Sequence, residues 1–179
     1  MDWTLILTLL GVLAAWVPFL YDRFNPVKIK GKFISLYENV GTFRGEPKAL
    51  FLFKLSVVSL NQSFDLLDVD IDIKFEKNGL TRNTSVNQRQ TFFTLEDKLR
   101  KLNVPETAFL NNISILKKDE PAVGYLMTTS SYFKNDNIVE ITFIFKSFNG
   151  KTKSLSFQLN EINESKLLYD DSIWIIDSK

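Results

Sequence analysis

Asp68, Asp70 and Asp72 alternate with Val69, Ile71 and Ile73. On a strand, alternate residues share a face about 6–7 Å apart. At that spacing three carboxylates cannot together grip one small ion unaided. No Gly-containing twelve-residue calcium loop surrounds them. Lys74 continues the row, so the expectation is a solvated edge of mixed sign. A glycoside-cleaving acid/base pair would need two carboxylates held at a set separation, and nothing in the spacing selects a pair.

A different chemistry is offered between Glu76 and Glu96, where Lys77, Arg82 and Arg89 stand among Thr, Asn and Gln with no acid between them. A guanidinium fork flanked by amides suits a phosphate or carboxylate. Arg82, Arg89 and Lys77 are therefore the candidate contacts for a small anionic ligand, against the plainer reading of a polar edge strand kept soluble by its charge. Thr128-Thr129-Ser130-Ser131-Tyr132 is rich in hydroxyls, but without an adjacent base it reads as strand surface.

The chain contains no histidine and no cysteine. That excludes Ser-His-Asp and Cys-His catalysis, Cys/His zinc sites and disulfides. Its 179 residues carry 22 Lys+Arg against 21 Asp+Glu, too even a balance for a general nucleic-acid binder. No glycine loop offers a phosphate cradle. Neither cofactor nor metal is expected.

The elements that must position these groups are mostly strands. Val27, Ile29 and Phe33 alternate with Lys28, Lys30 and Lys32, the period-two pattern of a strand with one dry face. Ala49–Leu60, Val69–Phe75, Phe92–Leu95, Phe109–Leu116, Val123–Phe133 and the arms Ile138–Phe148 and Lys151–Leu159 predict further strands. Asn78-Gly79 predicts a type I′ turn, and Asn149-Gly150 the turn of the strongest hairpin. Leu95–Leu102 predicts a short helix, and Ile173–Ile176 a closing strand. Eight to nine strands over residues 23–179 predict an antiparallel β-sandwich, immunoglobulin-like in outline, with a small β-barrel as the alternative.

Before this domain, residues 1–22 predict a transmembrane helix. Trp3 to Tyr21 contains no charge. At about 1.5 Å per residue the run reaches about 28 Å, close to the ~30 Å of a bilayer's hydrocarbon. Trp3 at one end and Trp16, Phe19 and Tyr21 at the other resemble interfacial belts. Arg23, Lys28, Lys30 and Lys32 follow closely, which places the carboxyl-terminal side in the cytoplasm and the amino terminus outside. Those four side chains could also meet the membrane surface. Thr4, Thr8, Gly11 and Ala15 fall on one helix face, with Gly11 and Ala15 spaced to let two helices approach and self-associate.

Together these features predict a single-pass cell-membrane protein whose β domain binds without catalysis, as an adaptor, with a protein partner or a second copy of itself. An alternative is a ligand-gated membrane effector, of the sort used in bacterial antiviral defence, sensing a small anionic signal through the β domain while the helix oligomerises. A hydrolase built on Asp and Glu alone is a second alternative.

Overall fold

The computed structural model describes residues 3–43, 46–85, 90–95, 98–131, 133, 136–159 and 174–175. The chain opens with one helix, α1 (Trp3–Phe24). Among the described residues twelve strands follow: β1 (Lys28–Phe43), β2 (Glu46–Leu60), β3 (Phe64–Asp65), β4 (Asp68–Phe75), β5 (Gly79–Thr84), β6 (Gln90–Leu95), β7 (Lys98–Asn103), β8 (Ile115–Leu116), β9 (Ala122–Ser131), β10 (Ile138–Lys146), β11 (Thr152–Gln158) and β12 (Trp174–Ile175). All the ladders between these strands are antiparallel.

Two sheets enclose the core, one in the order β1-β2-β9 and one in the order β11-β10-β4-β5. Period-two patterning explains which faces meet. Phe51, Phe53, Leu55 and Val57 of β2 face Val69, Ile71 and Ile73 of β4 and Ile141, Phe143 and Phe145 of β10, all buried in one cluster. Phe53 and Phe143 meet edge to face across the sheets, with ring centroids 5.3 Å apart. Each such side chain contributes about 1.5–3 kcal/mol by leaving water, so these rows decide the register of every strand that carries them.

The sheets approach one another at both sides but do not join. On one side Phe33 of β1 packs against Phe157 of β11, with centroids 5.6 Å apart. On the other, β5 and β9 are linked by side chains. Thr128 Oγ1 donates to the Thr84 carbonyl at 2.9 Å, and Thr81 and Ser130 hydroxyls lie 3.1 Å apart. No ladder between the two sheets is found among the described residues, so they do not close into a barrel.

The segment between β7 and β8 depart from the sequence expectation. Phe109–Leu116 is not one strand: a 3-10 turn at Glu106–Ala108 precedes it, and it forms a second 3-10 turn at Leu110–Asn112, then the two-residue β8. Its apolar residues divide between two sites. Phe109 joins Tyr37, Leu52, Val104, Tyr125 and Met127 on the outer face of the first sheet, whereas Leu110 enters the main core. A short apolar run does not reveal this by periodicity. Leu95–Leu102 is likewise not helical: Lys98–Asn103 is strand β7, paired with β6 and with β12. Cross-strand pairing overrides its weak helical preference. The predicted closing strand appears at Trp174 and Ile175, opposite Leu102 and Lys101; its flanking residues lie outside the described part.

The β10–β11 hairpin matches its prediction; the type I′ turn expected at Asn78-Gly79 is not found, and both turns have one geometry. Gly150 has φ +78° while Asn149 is not among the residues of positive φ. The Gly150 N–H donates to the Ser147 carbonyl at 3.0 Å, and the Ser147 N–H to the Lys151 carbonyl at 2.9 Å. That is a type I turn followed by a left-handed glycine, not a type I′ turn, which needs positive φ at both central residues. Asn78-Gly79 shows the same signs, with Gly79 at φ +77°.

Most of the described side chains of helix α1 lie open, with Ile6 part-buried. Trp3, Leu7, Leu10, Leu13, Trp16, Val17 and Phe24 are all exposed. Among the described residues, no helix is long and apolar enough to cross a membrane.

Candidate functional site

β4 lies between β10 and β5, so the aspartate row sits inside a sheet, not at its edge. The expectation of a solvated edge fails on that point, because neighbouring strands shield the row. Asp72 is only 6% exposed and Asp70 9%. The register sets Arg82 opposite Asp72, and Arg82 grips it in a fork, with Nε and Nη2 each donating to one carboxylate oxygen at 2.9 Å. The carboxylate's hydrogen bond and charge raise the Arg82 pKa above its ordinary value. Lys146 reaches Asp70 Oδ2 at 2.6 Å. Asp68 Oδ1 accepts from the Val69 N–H at 2.8 Å and lies 3.3 Å from Ser85 Oγ, to which Asn111 Nδ2 donates at 2.7 Å. Lys74 and Glu140 lie 3.8 Å apart.

The acids and bases of this face therefore neutralise one another across strands. Asp70 Oδ1 and Asn111 Oδ1 are buried acceptors with no hydrogen-bond partner. No group of three or more His, Cys, Asp or Glu arranged to hold a metal ion occurs among the described residues.

Of the three anion-site candidates, Arg82 and Lys77 fall among the described residues. Arg82 is committed to Asp72. Lys77 lies in the β4–β5 turn, where its N–H donates to Asp136 Oδ1 at 2.9 Å. Arg89 lies outside the described residues. Asp136, unremarked in the sequence, organises that turn by accepting also from the Asn78 N–H at 2.9 Å and from Asn78 Nδ2 at 2.7 Å. Desolvation raises the Asp136 pKa, but the backbone bond from Lys77, the two bonds from Asn78 and the Lys77 charge outweigh it and hold the carboxyl below its ordinary value. The hydroxyl-rich stretch has two faces: Thr128 and Ser130 are buried where β9 meets β5, while Thr129 and Ser131 are exposed strand surface. Tyr132 lies outside the described residues.

Of the membrane-related candidates, Lys28, Lys30 and Lys32 are exposed on β1 while Ile29 is buried. Arg23 belongs to the last turn of α1, and its side chain lies outside the described part. On the helix face, Thr8 Oγ1 donates to the Thr4 carbonyl at 2.7 Å. Gly11 is open, with no atom within 4 Å of where a Cβ would stand. Ala15 is exposed beside it.

Sequence reasoning missed the root of the helix. Only Asn25, Pro26 and Val27 separate α1 from β1, and the β2–β3 turn holds two of them. Asn61 Nδ2 donates to the Pro26 carbonyl at 2.9 Å, and Gln62 Nε2 to the Asn25 carbonyl at 3.1 Å. Asn61 adopts φ +71° to do this, a conformation Asn tolerates better than most residues. Asn61-Gln62-Ser63 reads as a turn in sequence, but its reach back to the linker is a tertiary fact with no local signal.

No family model matches the chain, and no curated protein matches it. One solved structure, an X-ray structure of Northeast Structural Genomics Consortium target SoR45, aligns at 10% identity over 77% of this chain and 89% of that one, with a TM-score of 0.30. So distant a likeness carries no argument about fold or activity.

Proposed function

We propose that the chain is a single-pass membrane protein whose β-sandwich is a non-catalytic binding or adaptor domain, held at the cytoplasmic face of the cell membrane. The observation that carries this reading is the exposure of α1. Trp3 is 76% exposed, Leu7 66% and Val17 60%, and a helix apolar all round needs an apolar surrounding. The β domain does not provide it. Counted in sequence, the uncharged run includes Leu5, Leu9 and Phe19 and reaches from Trp3 to Tyr21, about the thickness of a bilayer's hydrocarbon. A three-stranded and a four-stranded sheet around one core is the division expected of an immunoglobulin-like sandwich.

The pairing of Asp72 with Arg82 and of Asp70 with Lys146 weighs against a free acid/base pair in this row. For the effector alternative, Arg82 has one edge of its guanidinium taken by Asp72. Alkaline carbonate extraction of membranes from cells making the full chain tests the anchor. The chain should stay in the pellet, and a variant with Leu10→Arg and Leu13→Arg should be released. Release of the unaltered chain overturns the proposal.

A further inference from the structure

The β domain has two ends. One carries the start of β1, the end of β2, the start of β9 and, through the short β3–β8 pair, the start of β4 and the β10–β11 turn. The other carries the β4–β5 turn. Helix α1 enters at the first.

Hydrogen bonds tie that first end into one rim. Beyond the grip of Asn61 and Gln62 on the linker, the Lys118 N–H donates to Ser63 Oγ at 3.1 Å, the Leu66 N–H to the Ser114 carbonyl at 2.8 Å, and the Leu67 N–H to the Lys146 carbonyl at 2.8 Å. The rim leads to the tip of the β10–β11 hairpin. Along it stand large apolar side chains that the domain leaves in water: Phe148 is 68% exposed, Leu67 50% and Ile115 47%. Phe24, at the foot of α1, is exposed as well.

We infer that this helix-proximal rim, led by Phe148 and Leu67, rests in the headgroup region of the bilayer that holds α1. The inference rests on the anchoring proposed above and adds a second contact to it. The linker supplies the argument for this occupant: three residues, two of them bound to the rim, leave no slack for the domain to stand off the surface. Aromatic and aliphatic side chains on such a rim gain by entering the interface. Lys117 pairs with Glu120 at 3.4 Å, and Lys118 lies 3.9 Å from Asp119. These two lysines are offset by acids, and the apolar contact made by Phe148 and Leu67 does not itself require anionic lipid.

The absence of cysteine permits a direct test. Single variants of the full chain, Phe148→Cys, Leu67→Cys, Leu13→Cys and Leu80→Cys, are labelled with an environment-sensitive fluorophore and reconstituted in phosphatidylcholine vesicles containing nitroxide-labelled lipid. Leu80 is exposed beside the β4–β5 turn, at the far end of the domain. Labels at 148 and 67 should be quenched by a headgroup-level nitroxide at least twofold more than the label at 80, with or without added phosphatidylserine. The label at 13 should be quenched by a nitroxide deep in the acyl chains. If 13 is quenched but 148 and 67 behave like 80, the rim contact is overturned and the anchor stands. If 148 and 67 are quenched but 13 is not, the rim contact stands and the spanning anchor falls. If none is quenched, both fall.

Discussion

Asp72 and Asp136 show how much a residue's neighbours decide about its chemistry. In the sequence Asp72 belongs to a row of acids and Arg82 to a strip of bases, and each invites a reading of its own. Antiparallel register makes them partners, and a fork of two charge-assisted bonds commits one edge of the guanidinium to Asp72. The alternation that placed the row on a strand was legible. What stood across from it was not, because register is fixed by the apolar face and not by the charges. Asp136 had no visible signal, since its three bonds come from residues far away in sequence. Its depressed pKa makes a testable statement about pH. A carboxyl held lower in the folded chain than in the unfolded one stabilises the turn above the ordinary Asp value of about 3.9, and that contribution is lost as pH falls through the folded pKa. The Lys77 and Asn78 amide resonances should therefore titrate together, with a midpoint below about 3.9. A midpoint at or above that value removes Asp136 from the role.

At the scale of elements, the strands with one apolar face were readable and the segments that serve two faces were not. Ala49–Leu60, Val69–Phe75 and the Ile138–Leu159 hairpin each bury alternate residues in one core, which is the pattern a period-two search detects. The 3-10 segment instead runs along β9, marked by the Phe109–Tyr125 bridge, and sends Phe109 to one side of the sheet and Leu110 to the other. Gly124 makes this possible. A Cβ there would stand 2.7 Å from the Ala108 carbonyl oxygen and 3.0 Å from Leu110 Cγ, so the backbone of the segment would have to move. Overpacking of this kind costs about 1–3 kcal/mol. Gly124→Ala should lower the Tm of the full chain in detergent by about 2–10 °C. Gly31→Ala should cost less, because its nearest obstacle at 2.6 Å is the end of the Leu155 side chain, which can rotate away. An unchanged Tm for Gly124→Ala would show that the segment does not depend on this close approach.

At the scale of the whole molecule, the proposed anchoring makes the direction of insertion decide which compartment the β domain can serve. The sequence places Arg23, Lys28, Lys30 and Lys32 just after the uncharged run. The structure sets three of them on β1 immediately beyond a linker held by Asn61 and Gln62, so these charges cannot drift from the helix end. Lysines held within a few residues of a span retain their side of the membrane during insertion, and that argues for a cytoplasmic domain. Moving a β domain across the bilayer would also move those charges. A fluorescent protein that matures only in the cytoplasm, fused after Lys179, should therefore be bright, and a phosphatase active only outside should be silent at the same position. Exchanging Lys28, Lys30 and Lys32 for Gln should raise the phosphatase signal severalfold by weakening the bias, since these side chains point to solvent and the strand's buried face is untouched. A bright phosphatase fusion on the unaltered chain would reverse the orientation and put the binding surface outside the cytoplasm. The rim contact would survive that reversal, because the linker is equally short on either side of the membrane.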